Sequence, residues 1–193
     1  MSDFLRFEGV TCARGGRVLF EGLDLIARPE RAIEIAGPNG SGKSSLLRLA
    51  AGLLDPTAGT VRRDARAGLV DERLAFDASV GLRQALTFWA KVDRSPTVAI
   101  VPALTAMGIA HLADVPVRLL STGQRKRAAF ARLLAAPNPL WLLDEPLNGL
   151  DADGVERVTT EIRAHLGGGN AVLYASHQPV DTLFNRQRIK LGQ

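Results

Sequence analysis

The chain has 193 residues, of which 46% are hydrophobic and 23% are charged, and its formal net charge is +4. That size and composition suit one α/β domain with a good core, or a core with a small attached lobe. The single cysteine, Cys12, excludes an internal disulfide and a thiolate metal site and suits the cytoplasm. Basic residues are spread along the chain, so no nucleic-acid partner is expected. No stretch reaches the roughly 20 apolar residues of a membrane helix. If the protein acts at a membrane, we therefore expect a partner to bring it there.

The N-terminal third predicts a β-rich layer. Strands are predicted over residues 4–10, 18–20, 23–27, 32–36, 60–62 and 67–70. The alternation in the first strand is imperfect, and Arg14-Gly15-Gly16-Arg17 predicts a turn. Helix formers over residues 45–51 predict a helix that ends near Gly52.

A phosphate-binding loop follows the predicted strand 32–36. The pattern G-x-x-x-x-G-K-[ST] is met by Gly37, Pro38, Asn39, Gly40, Ser41, Gly42, Lys43 and Ser44. Its glycines let backbone N–H groups face a polyphosphate, Lys43 can reach the β- and γ-phosphates, and Ser44 offers a hydroxyl to Mg²⁺. The helix that continues through Ser45 presents its positive end to the same anion. The loop therefore predicts a nucleoside triphosphate site.

The rest of the chain predicts a small helical lobe and then a return to the core. The lobe, at residues 80–120, shows loose helical spacing of Leu82, Leu86, Trp89, Val101, Leu104 and Ile109. Another helix is predicted after residue 120. Two apolar runs, residues 140–143 and 171–174, predict strands buried in a parallel sheet. The remaining predicted elements are helices over 155–166 and 180–184 and a last strand over 188–191.

Polar residues at the ends of these elements suggest a site for binding and hydrolysing the nucleotide. We expect the strand that ends in Asp144 to lie beside the strand that precedes the phosphate loop, so that Asp144 can hold Mg²⁺ together with Ser44. Glu145 can orient an attacking water as a general base. His177, after strand 171–174, can bond the γ-phosphate or that water. A helix start formed by Ser121, Thr122, Gly123 and Gln124 predicts a second anion site, although a simple N-cap explains it alone.

Together these motifs resemble the nucleotide-binding domain of ABC ATPases over essentially the whole chain. The resemblance implies an α/β fold of the P-loop NTPase class, an ABC-type cassette. Its parts are a RecA-like parallel-sheet core, an N-terminal antiparallel β layer and a small helical lobe. It implies one domain over residues 1–193, with the β layer and core at about 1–70, the lobe at about 72–122 and the core completed at about 123–193.

The family's roles carry over to the matching positions. The loop with Lys43 corresponds to Walker A, residues 140–144 to Walker B, Glu145 to the catalytic carboxylate, residues 147–151 to the D-loop and His177 to the switch histidine. The signature corresponds to residues 121–124. ATP and Mg²⁺ are the implied cofactors. Two copies of such a domain dimerise head to tail, so that the signature of one closes over ATP on the Walker A loop of the other.

A narrower resemblance is to the CcmA family, the ATP-binding subunits of haem exporters in cytochrome c maturation. It rests on residues 115–127, Ala131-Arg132-Leu133 and Ser176-His177-Gln178-Pro179. It implies integral membrane permease subunits as partners and a peripheral position on the cytoplasmic face of the inner membrane. The alternatives are another small ABC exporter, a soluble ABC ATPase acting on ribosomes or DNA, and a regulatory module that binds ATP without appreciable turnover.

Two positions depart from the family pattern. The family carries a glutamine that contacts Mg²⁺ or water where this chain has Val70-Asp71-Glu72-Arg73-Leu74. Arg73 is nearest to that position and cannot ligate a metal, whereas Asp71 or Glu72 can. Arg14 stands where the family stacks an aromatic ring on adenine. It is either a stacking guanidinium or a solvated turn residue.

Overall fold

The computed structural model describes residues 3–71, 76–176 and 186–192. The chain divides into two compact units. The first, here called the sheet unit, comprises Met1–Asp71, Asn138–Pro146 and Ile162–Gln193, and the second, the helical unit, comprises Glu72–Pro137 and Leu147–Glu161. Whether one domain extends over the whole chain, as the motifs imply, stays a prediction.

The elements follow the predicted order of strands and helices. In chain order they are β1 (Leu5–Arg14), β2 (Arg17–Ala27), β3 (Ala32–Ala36), α1 (Lys43–Ala51), β4 (Ala58–Arg63), β5 (Ala67–Val70), α2 (Leu82–Val92), α3 (Ile100–Ala106), α4 (Thr122–Ala135), β6 (Leu140–Asp144), α5 (Ala152–Gly167), β7 (Ala171–Ala175) and β8 (Arg186–Lys190). The predicted helix over residues 180–184 lies outside the described residues.

The first sheet is antiparallel, in the order β2-β1-β4. The imperfect alternation of β1 has a structural cause, because the strand register shifts around Gly9, whose φ is 58°. The buried positions therefore change from Leu5 and Phe7 before this bulge to Val10 and Cys12 after it. The prediction of two strands over 18–20 and 23–27 was wrong, because β2 is continuous.

The second sheet is parallel, in the order β5-β6-β7-β3-β8. All residues of β3, β6 and β7 are buried, as expected for the interior of such a sheet. We expected the strand that ends in Asp144 to lie beside the strand that precedes the phosphate loop. That was wrong, because the chain returns through α5 and β7 occupies the place between β6 and β3.

The core of the sheet unit combines apolar side chains from both sheets with one side of α1. Leu46, Leu47 and Leu49 of this helix are at most 1% exposed. At the other end of the helix Arg63 donates hydrogen bonds to the carbonyls of Ala50, at 3.1 Å, and Leu49. The helix that follows the phosphate loop is therefore held by core packing and by hydrogen bonds at its C-terminal end.

The helical unit contains α2, α3, α4 and the first part of α5. Residues 123–135, which we assigned to the core, lie in this unit because α4 packs on α2 and α3. Leu82, Leu86 and Leu104 are buried as their spacing predicts, whereas Val101 is half exposed. Among the described residues, no helix combines the length and apolar character needed to cross a membrane.

Candidate functional site

The loop between β3 and α1 curls tightly because its glycines adopt backbone angles that other residues avoid. The φ angles of Gly37, Gly40 and Gly42 are 154°, 79° and 101°. A Cβ on Gly37 would lie 2.6 Å from Ser41 Oγ and 2.7 Å from Leu191 O. A side chain at Gly37 would therefore clash with its neighbours in this tight turn. The outer residues of the loop, Pro38, Asn39 and Gly40, are exposed.

Lys43 and Ser41 put polar groups inside this loop. Lys43 is 9% exposed, and its ammonium donates to the carbonyls of Gly37 at 2.8 Å and Pro38 at 3.1 Å. An ammonium has three donors, so one remains for a ligand. The Ser41 hydroxyl is buried and has no hydrogen-bond partner within the part of the chain that the structure describes. A buried polar atom is normally satisfied, and this loop fits an anionic ligand that would satisfy it.

The start of α1 also favours the binding of an anion. Its N-cap, Gly42, is left-handed and supplies no side-chain cap, and the first turn carries no acidic residue. The first N–H groups of the helix and its dipole are therefore available to an anion. Ser44 is exposed at this end and Ser45 is buried. A hydroxyl at Ser44 can thus contribute to a magnesium site beside bound phosphate.

The two carboxylates at the end of β6 differ in exposure and in backbone conformation. Asp144 ends the strand and is 7% exposed, while Glu145 is more exposed and has a φ of 46°. The Glu145 N–H donates to Ala175 O at 2.8 Å, which holds this residue at the end of β7. A left-handed non-glycine residue costs on the order of 1–3 kcal/mol and is found preferentially at functional sites. The sequence carries no signal for this conformation.

Arg14 ends β1 and is exposed beside the turn to β2. The same hairpin carries Phe20, whose Cδ1 lies 3.0 Å from the position that a Cβ on Gly42 would take. The hairpin therefore lies against the start of α1. Whether Arg14 contacts a base stays a prediction.

Two predicted positions lie outside the described residues, namely His177 and the segment with Glu72 and Arg73. Asp71, directly before that segment, lies 3.5 Å from Arg48 of α1 through its carboxylate. This ion pair competes with the metal-binding role that we considered for Asp71. No group of three or more His, Cys, Asp and Glu side chains within the described ranges could hold a metal. Mg²⁺ commonly uses one or two carboxylates together with substrate phosphates.

The signature lies in the helical unit and begins α4. Ser121 is its N-cap, and its hydroxyl accepts from Gln124 N at 3.2 Å while Gln124 Oε1 accepts from Ser121 N at 2.9 Å. Ser121 and Thr122 are exposed. A Cβ on Gly123 would lie 2.9 Å from Gly149 O, so this glycine permits close approach of residues 147–151. The simple N-cap interpretation is therefore sufficient for Ser121, but not for Gly123.

An open groove of about 560 Å³ runs beside the signature in the helical unit. Its lining includes Ser121, Gln124, His111, Arg127, Asp151 and Asp153. Hydrogen bonds hold the pKa of Asp151 below its ordinary value, first from Gly154 N–H and then from Arg127. The Arg127 guanidinium is a feature that sequence reasoning missed. Its sequence signal is the basic run 125–127, which by itself does not distinguish Arg127 from its neighbours.

Comparisons with known proteins agree with this geometry. A family model described as ABC transporter matches residues 20–148, more than half of the chain. The chain is 50% identical over 177 residues to the cytochrome c biogenesis ATP-binding export protein CcmA of Sphingopyxis alaskensis, covering 92% of this chain and 91% of that protein. The protein of the same name from Novosphingobium aromaticivorans is 52% identical over 171 residues, covering 89% and 87%.

Solved structures show the same fold. One is an ATP-binding cassette in a dimeric post-hydrolysis state bound to ADP and Pi, with a TM-score of 0.85, 21% identity and coverage of 97% of this chain and 94% of that chain. Another is the ATP-binding subunit of an ABC transporter, with a TM-score of 0.82, 17% identity and coverage of 90% and 79%. At these identities the likeness concerns the fold alone, and it bears out the α/β cassette that the motifs imply.

Proposed function

The chain belongs to the ABC transporter family, and we propose that it is the ATP-hydrolysing subunit of a membrane export complex for cytochrome c biogenesis. The observation that carries the ATP part is the phosphate loop, where Lys43 and the unpartnered Ser41 hydroxyl are held inside a glycine turn. The export part is supported by relatives that share about half of their residues with this chain over most of its length. Haem is the cargo that we infer.

Binding of ATP begins at the loop from Gly37 to Ser44. Lys43 neutralises charge on the β- and γ-phosphates, and the N-terminal N–H groups of α1 bind phosphate oxygens. Ser41 finds in a phosphate oxygen the partner that it lacks within the described residues. Arg14 offers a flat cation to the base.

Hydrolysis needs a water placed in line with the γ-phosphate. Glu145 orients this water and accepts its proton, and its left-handed backbone, with a φ of 46°, is the kind of strained conformation that is found at functional sites. Ser44 and Asp144 would hold Mg²⁺, which supplies charge neutralisation at the phosphates. His177 would bond the γ-phosphate or the water.

The second half of the site comes from another copy of the chain in this proposal. Ser121, Thr122, Gly123 and Gln124 would close over ATP bound to the phosphate loop of the partner. Their position at an exposed helix start is what such a contact requires. ATP would thus drive closure of a dimer, and hydrolysis would reopen it. Permease subunits would take up this movement and hold the protein at the cytoplasmic face of the inner membrane.

The replacement Glu145→Gln tests the hydrolytic role. We expect the purified variant to bind ATP as the parent does, to lose turnover, and to elute as an ATP-dependent dimer in size-exclusion chromatography. Full turnover in this variant would refute the role of Glu145. A parent protein that binds ATP but turns over no faster than buffer would favour the regulatory module.

The cargo is tested separately, by affinity purification of the tagged chain from detergent-solubilised membranes. Permease subunits that carry haem in their spectra would support haem export, and permeases without haem would favour another small exporter. Recovery with ribosomes or DNA instead would refute the membrane complex.

A further inference from the structure

We propose that Arg127 is a positioning residue that joins the signature, residues 121–124, to the D-loop, residues 147–151, so that the two meet a nucleotide as one body. This inference rests on the proposed function, because it assumes that the signature of one copy contacts ATP on another. All of the groups involved lie in the helical unit.

The Arg127 side chain bridges α4 and the start of α5. It is 11% exposed, its Nη1 donates to Asp153 Oδ2 at 2.7 Å, and its Nη2 forms a short contact with Asp151 Oδ1. The same Asp151 oxygen accepts from Gly154 N at 2.9 Å, which caps α5. One guanidinium on the signature helix therefore holds the residue at which the D-loop ends.

The network extends to the end of α3. Arg127 Nη1 lies 3.4 Å from Met107 O, and Arg157 Nη1 donates to Ala106 O at 3.1 Å. Arg157 also binds Asp153, at 2.9 Å. A Cβ on Gly108 would lie 2.8 Å from Arg157 Nε and 3.4 Å from Arg127 Nη1, so a side chain at this position would crowd both guanidinium groups.

Direct backbone contact makes the linkage short. Gly149 O lies 2.9 Å from the position of a Cβ on Gly123, so the D-loop rests against the first turn of α4. A shift of Asp151 relative to Arg127 would therefore move Gly149 against the signature. Close-packed groups of this kind transmit displacement instead of absorbing it.

The ion pairs are better suited to positioning than to stabilisation. The Asp151 and Asp153 side chains are 70% and 55% exposed, so water screens their attraction to Arg127 and they add little to stability. Holding two carboxylates and a carbonyl at once needs the planar fork of a guanidinium, which a lysine ammonium lacks. Changes at Arg127 should therefore affect the reaction more than the melting temperature.

The test compares Arg127→Met and Arg127→Lys with Arg132→Lys. Arg132 is a matched control on the same helix, because it binds Asp93 at 3.0 and 3.2 Å and stacks on Trp89, away from the signature. We expect Arg127→Met to lower kcat on the order of tenfold to a hundredfold, as misplaced reacting groups do. Arg127→Lys should recover part of this loss. Melting temperatures should match that of the control, and affinity of the monomer for a fluorescent ATP analogue should be unchanged.

A second measurement is the ATP-driven dimer of the Glu145→Gln protein with and without Arg127→Met. Weaker dimerisation of the double variant supports the inference, and equal dimerisation with parental kcat overturns it. If Arg127→Met unfolds, Asp153→Ala removes one acceptor of the guanidinium while leaving Arg127 in place, and an unchanged kcat there also overturns it. Absence of a dimer when Arg127 is intact overturns the proposed dimer itself.

Discussion

The phosphate loop of the sheet unit and the signature of the helical unit differ in how far their polar groups are hydrogen-bonded. In the loop, Ser41 keeps a buried hydroxyl with no partner among the described residues, and Gly42 supplies no side-chain cap to α1. In the signature, Ser121 and Gln124 satisfy each other's backbone N–H groups in a reciprocal pair. The first arrangement needs a ligand, whereas the second is complete without one.

This difference assigns different tasks to the two units. Affinity for ATP should reside in the sheet unit, where buried polar groups gain partners on binding. The signature has less to gain from ATP alone and should contribute when a second copy brings the nucleotide to it. Changes in the sheet unit should thus alter binding, and changes around the signature should alter turnover.

The largest effect is expected for Lys43→Ala. Loss of a buried ammonium that meets phosphate removes charge-assisted hydrogen bonds worth about 3 kcal/mol, or roughly a hundredfold in affinity. Titration with a fluorescent ATP analogue measures this loss. Lys91→Ala, on the exposed side of α2 in the helical unit, is the control and should bind as the parent does. Equal affinity of the two variants for the ATP analogue would show that the phosphate loop is not part of the ATP site.

A pH effect on stability is expected in the sheet unit, at His165. This ring stacks on Trp141 at 3.8 Å, and burial lowers the pKa of His165 to about 4, against the opposing bonds to Pro139 and Ala171. The folded state then binds fewer protons than the unfolded state between pH 4 and the ordinary value near 6.5. Stability contributed by the neutral ring is complete above pH 6.5 and falls as the pH drops toward 4.

The expected loss from pH 7 to pH 5 is about 2 kcal/mol. Urea unfolding at both pH values should show this loss in the parent and not in His165→Phe, which keeps a ring against Trp141. His111→Gln, at an exposed position of the helical unit, serves as the control. An equal acid loss in His165→Phe and the parent would contradict the assignment.

A smaller effect is expected for Gly123→Ala. The added Cβ would stand 2.9 Å from Gly149 O and must push the D-loop back by a few tenths of an ångström. We expect a loss of about 1 kcal/mol in transition-state stabilisation, seen as a several-fold lower kcat with unchanged ATP affinity. Gly167→Ala, where a Cβ meets nothing within 4 Å, is the control. A fall in ATP affinity of the monomer would contradict the division of tasks.

The smallest effect is expected for Arg14→Ala. A cation that stacks on a base at an exposed site contributes about 0.5–1 kcal/mol, so affinity for ATP should fall a few-fold. Arg14→Phe should restore it, because the ring can take the place of the guanidinium plane. If Arg14→Ala and Arg17→Ala bind ATP equally well, Arg14 is only a turn residue.

Local sequence patterns predicted most of the helices and strands. They did not predict the order in which the strands pair or the irregularities of pairing. The apolar runs marked β6 and β7, but their order beside β3 depends on the return of the chain through α5, which no local pattern encodes. The spacing of β1 predicted a strand with imperfect alternation, and only the paired strands reveal the bulge at Gly9. In the helical unit Val101 fits a helical spacing, but it is half exposed on α3, because spacing alone does not show which side of a helix is covered.

The sequence by itself determined the phosphate loop, because a glycine turn followed by lysine and serine depends on neighbouring residues and local backbone geometry. It also determined the signature and the carboxylates as motifs. Only the tertiary structure decided the left-handed backbone of Glu145, the approach of Gly123 to Gly149 and the link from Arg127 to Asp151. These features join groups that are distant along the chain, so packing of separate elements sets them.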